Sequence, residues 1–243
     1  MIKKINGMQL EKQYGGKTVL SCSLQVDSDG IFCIIGPNGS GKSTLLRIIS
    51  LLEKPDSGEL VIADHSQSFV NPFENLNLRR KIVLVSSHSR LFHDTVFNNV
   101  VYGLKLRKKD HRNLREQVER TVKMVGLTHK INTIATDLSS GEQQRTAIAR
   151  ALVLDPDVLF LDEPTVSLDP ENTKLIENLI LDWNKKEGKT IVLVTHSLFQ
   201  AQTLSDFIIF MYQGKIVELS ETKNFFRAPR TELGQQFISG KIY

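Results

Sequence analysis

Leu20, Cys22, Leu24 and Val26 alternate with polar residues, the two-residue period of a strand buried on one face. Ile31-Phe32-Cys33-Ile34-Ile35 does not alternate, and five apolar residues in succession fit a strand buried on both faces. Residues 158–161, 190–195 and 207–211 have the same short apolar character, and 58–62 and 81–85 read as further strands. A Gly-rich loop follows Ile35, and a helix is expected over 42–53. The chain changes character over about 94–153. There, 110–125 is polar with Leu114, Val118, Val122 and Val125 on one face, and 140–154 is a second helical stretch. A helix near 171–186 carries Leu175, Leu179 and Trp183 at four-residue spacing, which places Trp183 in a core and not on a base-stacking platform. Strands alternating with helices predict an α/β fold with a mostly parallel sheet, interrupted by a helical insert. There is no internal repeat and no low-complexity linker.

Composition narrows the function. The 243 residues, 40% apolar, suit one large domain or a core with a lobe. A net charge of +4 is too mild to argue for nucleic acid, which would need a concentrated basic face. The one basic cluster, Lys105, Arg107, Lys108, Lys109, Arg112 and Arg115, reads as a solvated helix surface. No apolar run approaches the roughly 20 residues that span a bilayer. The segment Met1-Ile2-Lys3-Lys4-Ile5-Asn6 lacks the apolar stretch of a secretory signal. Cys22 and Cys33 stand apart within strand patterns and are expected to be buried thiols in a reducing compartment. Any membrane role must then come through a partner.

Two motifs carry phosphate chemistry. Gly36-Pro37-Asn38-Gly39-Ser40-Gly41-Lys42-Ser43 matches GxxxxGK[ST] in full and lies between a buried strand and a helix. Its glycines let successive N–H groups converge on phosphate oxygens, and the helix adds the positive end of its dipole. Lys42 is expected to reach the β- and γ-phosphates and Ser43 to ligate Mg²⁺, with Thr44 completing the nucleotide-binding set. Residues 158–163 read Val-Leu-Phe-Leu-Asp-Glu, a buried strand that delivers two carboxylates at its end. Asp162 is placed to hold Mg²⁺ and Glu163 to polarise the attacking water.

A third motif identifies a family. Leu138-Ser139-Ser140-Gly141-Glu142-Gln143-Gln144-Arg145, followed by Thr146-Ala147-Ile148-Ala149-Arg150-Ala151-Leu152, resembles the LSGGQ signature and signature helix of ABC ATPases. Ser167-Leu168-Asp169 resembles that family's D-loop, His196 its switch histidine, and Tyr14 the aromatic that stacks on adenine. The resemblance covers essentially the whole chain. It implies a P-loop NTPase fold of ABC type: a RecA-like core with an antiparallel β-subdomain over 1–86 and 155–243, and a helical subdomain over 87–154. It implies ATP and Mg²⁺ as cofactors, Glu163 and His196 as catalytic residues, and a head-to-tail dimer. In that dimer Ser139, Ser140, Gly141 and Glu142 of one copy meet ATP held by the other, and Asp169 crosses the interface. It further implies integral membrane permease subunits, an extracytoplasmic substrate-binding protein, a place on the cytoplasmic face of the membrane, and no nucleic acid.

Two positions depart from the family pattern. Ser140 replaces the second signature glycine, and Ser87 stands where a metal-sensing Gln is usual, so a water is expected to bridge Ser87 to Mg²⁺. The leading expectation is an importer subunit. The alternatives are a soluble ABC ATPase acting on DNA or ribosomes, and an exporter subunit. The single cassette without a long coiled-coil insertion disfavours the former, and the stretch from Thr95 to Leu104, similar to importer transmission segments, disfavours the latter. Residues 91–100, the Glu142 signature variant and the ending 237–243 look similar to ATPases of oxyanion importers, of the tungstate type first, then phosphate or molybdate.

Overall fold

In the computed structural model, residues 1–27, 29–64, 67–87, 90–107, 113–166 and 168–242 are described. They form two compact units, one of Met1–Val83, Asp157–Glu163 and Asn184–Tyr243, the other of Leu84–Pro156 and Pro164–Trp183. Residues 164–183 thus group with the helical stretch expected over 87–154.

The first unit contains an antiparallel sheet of order β2-β1-β4-β5, made of β1 (Ile2–Tyr14), β2 (Lys17–Asp27), β4 (Ser57–Asp64) and β5 (Ser68–Val70). On β2 the alternating Leu20, Cys22, Leu24 and Val26 are all buried, as their period demands. β1 was not legible in advance. Its register against β2 shifts between Gly7 and Leu10 and again between Lys12 and Gln13, which breaks the two-residue pattern although Ile5 and Leu10 are buried.

Among the described residues, a second sheet has the order β10-β9-β3-β8-β7-β6, with β3 (Ile31–Ile35), β6 (Ile82–Val85), β7 (Val158–Asp162), β8 (Thr190–Val194), β9 (Phe207–Tyr212) and β10 (Lys215–Glu221). β3 pairs in parallel with β8 and β9, and β7 with β8, while β10 returns antiparallel to β9. Every residue of β3 and β8 is buried, which is why β3 is continuously apolar and β8 is apolar after Thr190. Burial raises the thiol of Cys33 on β3 and pushes that of Cys22 on β2 up to about 12.

α1 (Lys42–Ile49) follows β3 and is shorter than expected. Leu51 takes a left-handed conformation at φ +63°, and the N–H groups of Leu52 and Glu53 both turn back to the Arg47 carbonyl at 2.9 and 3.2 Å, closing the helix. In α6 (Pro170–Glu187) the buried residues include Ile176, Leu179, Ile180 and Trp183, whereas Leu175 is exposed. A four-residue step advances about 40° around a helix of 3.6 residues per turn, so two steps carry Leu175 off the face that holds Trp183.

In the second unit, α3 (Val96–Leu106), α4 (Leu114–Met124) and α5 (Ser140–Leu152) pack together, with Leu114, Val118, Val122 and Val125 buried as their spacing predicts. Buried Asn99 shapes the loop before α3. Its amide donates to the carbonyls of Phe92, Asp94 and Thr95 at 3.0, 3.1 and 3.0 Å and accepts from the Phe92 N–H at 2.8 Å. The basic cluster is not uniformly solvated. Arg107 donates to the Leu154 carbonyl at 3.2 Å, whereas Arg115 stays in solvent as expected, beside Glu119 at 2.7 Å, and Lys108, Lys109 and Arg112 lie outside the described residues.

The C-terminal segment of the first unit, with α7 (Leu198–Leu204), α8 (Thr222–Arg227) and α9 (Glu232–Ile238), is tied down by one buried carboxylate. Glu218 accepts from the Arg230 and Thr231 N–H groups at 3.0 and 3.2 Å and from the hydroxyls of Thr231 and Ser220 at 3.2 and 3.0 Å. Removing it strands these donors. Glu218→Ala should therefore cost about 2–3 kcal/mol of stability, read as a lower urea midpoint at unchanged slope.

Candidate functional site

The loop after β3 is shaped by what its backbone must avoid. Gly36 has φ +148°, and a Cβ there would collide with the Met211 carbonyl oxygen. Gly41, at φ +96° the N-cap of α1, would bring a Cβ to 2.9 Å from the Val19 carbonyl oxygen. Neither position admits a side chain, so Gly36, Pro37, Asn38, Gly39, Ser40 and Gly41 form a narrow turn that ends at the N-terminus of α1. Lys42, Ser43 and Thr44 are the first residues of that helix. Their N–H groups precede the first full turn and have no intrahelical acceptor, which makes the loop and helix start a ready anion cradle.

Lys42 is buried, and its ammonium donates to the Gly36 and Pro37 carbonyls at 2.8 and 2.9 Å. It therefore lies folded back along the loop with one N–H left to offer. Burial pulls its pKa below the usual lysine value, and the carboxylates of Glu163 and Asp162 pull it back up. Ser40 Oγ is buried with no partner, an orphan hydroxyl inside the same turn.

β7, neighbour of β8 in the sheet, ends at Asp162. Burial raises the Asp162 pKa and the adjacent Glu163 raises it further, opposed by a hydrogen bond from the Ser43 hydroxyl and by Arg47 and Lys42. Glu163 leaves the strand at φ +47°, with its N–H on the Val194 carbonyl at 2.9 Å. That left-handed turn is costly for a glutamate. Its Oε2 meets His196 Nδ1 at 3.1 Å, and His196 follows β8 by two residues. Tyr14, at the end of β1, keeps its side chain partly exposed and is held by residues beside α1.

An anion flanked by Gly-rich backbone and Lys42 fits this cradle. So does a divalent cation held by Ser43 Oγ and an Asp162 oxygen. Among the described residues there is no cluster of three His, Cys, Asp or Glu side chains that could hold a metal alone. Mg²⁺ needs none, because it keeps waters and binds through one or two protein oxygens plus substrate phosphates.

The second unit carries the other predicted residues. Ser139 is the N-cap of α5 in a complete capping box: Ser139 Oγ accepts from the Glu142 N–H at 3.3 Å, and Glu142 Oε2 takes both the N–H and the hydroxyl of Ser139 at 3.0 Å. These bonds hold the Glu142 carboxyl below its usual range. Ser140 and Gly141 open the helix, and a Cβ on Gly141 would collide with the Asn172 side chain. Asp169 caps the start of α6 through the Asn172 N–H at 2.9 Å, and its other oxygen takes the Asn172 amide at 2.6 Å. Asn172 was missed in the sequence, although Asp-Pro-Glu-Asn is a readable capping pattern. Ser87 lies in a turn just after β6. Ser167 of the expected D-loop lies outside the described residues.

The chain is similar to known proteins over most of its length. Residues 19–166 match the family model described as ABC transporter. The chain is 38% identical over 234 residues to the arginine transport ATP-binding protein ArtM of Bacillus subtilis, covering 95% of this chain and 96% of that one. It is 38% identical over 253 residues to the phosphate import ATP-binding protein PstB of Pyrobaculum aerophilum, covering 99% of each. Its fold superposes on the dimeric structure of MJ0796, a bacterial ABC transporter cassette, with a TM-score of 0.78 and 31% identity over 90% of this chain and 98% of that one.

The raised Asp162 makes a stability test possible. A carboxyl whose folded pKa lies above its unfolded value helps the fold most below the ordinary Asp range, and that help is lost as pH rises through the folded pKa. Asp162→Asn removes the charge while an amide oxygen still accepts from Ser43. The variant should melt higher than wild type at neutral pH, with the gap closing as pH falls into the Asp range, while Mg²⁺-dependent ATP turnover drops by about 10²-fold or more. Calorimetry across pH and a phosphate-release assay check both halves.

Proposed function

Because the chain belongs to the ABC transporter family of ATP-binding proteins, we propose that it is the ATP-hydrolysing subunit of a membrane importer. The protein binds ATP with Mg²⁺ and hydrolyses it. The observation that carries the mechanism is the convergence of Lys42, the Ser43–Asp162 pair and the Glu163–His196 pair in one unit.

In this reading Gly36 to Thr44 bind the phosphates of ATP, and Ser43 and Asp162 hold Mg²⁺, which would supply charge neutralisation of the transferred group. Glu163 accepts a proton from water as the water oxygen attacks the γ-phosphorus and the bond to the bridging oxygen breaks. His196 fixes the Glu163 carboxylate through Nδ1 and keeps Nε2 for the γ-phosphate. Ser139, Ser140, Gly141 and Glu142 of a second copy present a helix N-terminus to that phosphate, and Asp169 lies at the interface between copies. MJ0796, similar over 98% of its length, has a dimeric structure, which supports a dimer for this chain.

Among the described residues no helix is long and apolar enough to cross a membrane, and in this reading the chain couples to integral membrane permease subunits. The exposed aromatic pair Phe92 and Tyr102, ring centroids 4.6 Å apart, is the surface we assign to it. Arg150 of α5 sits 5.7 Å from the Phe92 ring and donates to the Arg90 carbonyl at 3.1 Å, so this surface is built directly on the signature helix. An extracytoplasmic substrate-binding protein delivers the solute in this reading, and the chain works at the cytoplasmic face.

For the solute we propose an oxyanion, tungstate first and phosphate next. Residues 91–100, the Glu142 variant, the ending 237–243 and a 38% identity with PstB over an alignment covering 99% of each chain support it.

Glu163→Gln keeps the side chain's shape and removes the base. It should bind ATP, hydrolyse it about 10²–10⁴-fold more slowly, and accumulate as an ATP-dependent dimer in light scattering. Near wild-type turnover would sink the assignment of Glu163. Deleting the gene should lower cellular uptake of tungstate or phosphate. Unchanged oxyanion uptake beside a lost amino-acid uptake, the solute class named for ArtM, would overturn the oxyanion reading alone.

A further inference from the structure

Tyr14 ends β1 with its ring partly in solvent, yet its hydroxyl is fully engaged. It donates to Glu53 Oε1 at 2.6 Å and accepts from Arg47 Nη2 at 3.2 Å. Arg47 Nε in turn reaches Glu53 Oε2 at 3.1 Å, so one carboxylate holds both the phenol and the guanidinium. Lys12 closes the cluster with Nζ 3.4 Å from Glu53 Oε1, 2.9 Å from Asp56 Oδ1 and 5.9 Å from the Tyr14 ring centroid. Burial disfavours the charged Glu53, but hydrogen bonds from Tyr14 and Arg47 outweigh it and hold its carboxyl below the usual range.

Stability does not account for so many contacts on one exposed ring, since surface ion pairs contribute little. What they do achieve is orientation. A phenol with both its donor and its acceptor engaged keeps one rotamer. The anchor also has a definite address. Arg47 is on α1, five residues beyond Lys42, and Glu53 is tied to Arg47 through the turn that closes the helix. The rise from Lys42 to Arg47 is about 7.5 Å along one rigid helix.

We propose that Glu53, with Arg47, is a positioning residue that fastens the Tyr14 ring to α1 at a set distance from the phosphate loop, so that the base and the phosphates of ATP are gripped on one ruler. The proposal rests on the reading of Tyr14 as the adenine platform. A pre-oriented ring spares ATP the entropy of ordering it, while a ligand without a base gains nothing from the ring.

The test titrates the full chain with ATP and, separately, with inorganic tripolyphosphate by calorimetry. Glu53→Ala and Tyr14→Phe should each weaken ATP binding about threefold to tenfold and leave tripolyphosphate unchanged. The double variant should be no weaker than either single one, because both break the same bond. Glu53→Gln, whose amide oxygen still accepts from the phenol, should restore most of the affinity. In steady state KM should rise while kcat holds. Equal weakening of both ligands by Glu53→Ala, or full additivity with Tyr14→Phe, would overturn the anchoring role. Tyr14→Ala leaving the ratio of ATP to tripolyphosphate affinity at its wild-type value would sink the platform reading, and the anchor with it.

Discussion

Three adjacent parallel strands, β3, β8 and β7, end on the same edge of a sheet, and the nucleotide site depends on that common edge. The strands are almost wholly buried, so no polar group can be placed along their length without desolvation. The chemistry is thereby forced to the carboxyl ends, where the backbone emerges and an open α/β sheet binds its ligands. β3 delivers Gly36, β7 delivers Asp162 and Glu163, and β8 leads to His196. Residues distant in sequence converge because parallel strands must finish together.

Convergence concentrates charge. Lys42 and Asp162 each suffer from burial, and each is partly relieved by the other. Glu163 works against Asp162, while its own carboxylate is bonded to His196. In the proposed mechanism the aspartate bonded to Ser43 serves the metal and the glutamate bonded to His196 serves the water, two carboxylates given different tasks by their partners. The site is electrostatically costly without a ligand and is matched to one that brings phosphate and Mg²⁺ together.

The second unit is organised by helix caps. Ser139 with Glu142 starts α5, Asp169 with Asn172 starts α6, and Asn172 lies against Gly141, so the two capped ends are packed on each other within that unit. The serine at 140 sits at the opening of α5, where a hydroxyl adds a donor. The glycine at 141, by contrast, has no room for a Cβ.

The phosphate loop, the Asp-Glu strand end and the signature were legible in the amino-acid sequence because each is local: a cradle, a strand terminus and a helix start need given residue types at short spacings. The fully buried strands were legible for the same reason, as was the α4 face. Tertiary structure alone decided the partnerships across long separations. It brought His196 to Glu163, Glu53 and Arg47 to Tyr14, and the backbone of Arg230 and Thr231 to Glu218. It also turned Leu175 outward, because an exact four-residue repeat drifts around a helix, and it hid β1 behind bulges that break alternation. Local pattern states which surface a residue can offer to the core or to a ligand. Which surface it meets is set by how the strands are ordered, and strand order is written in no single stretch of the chain.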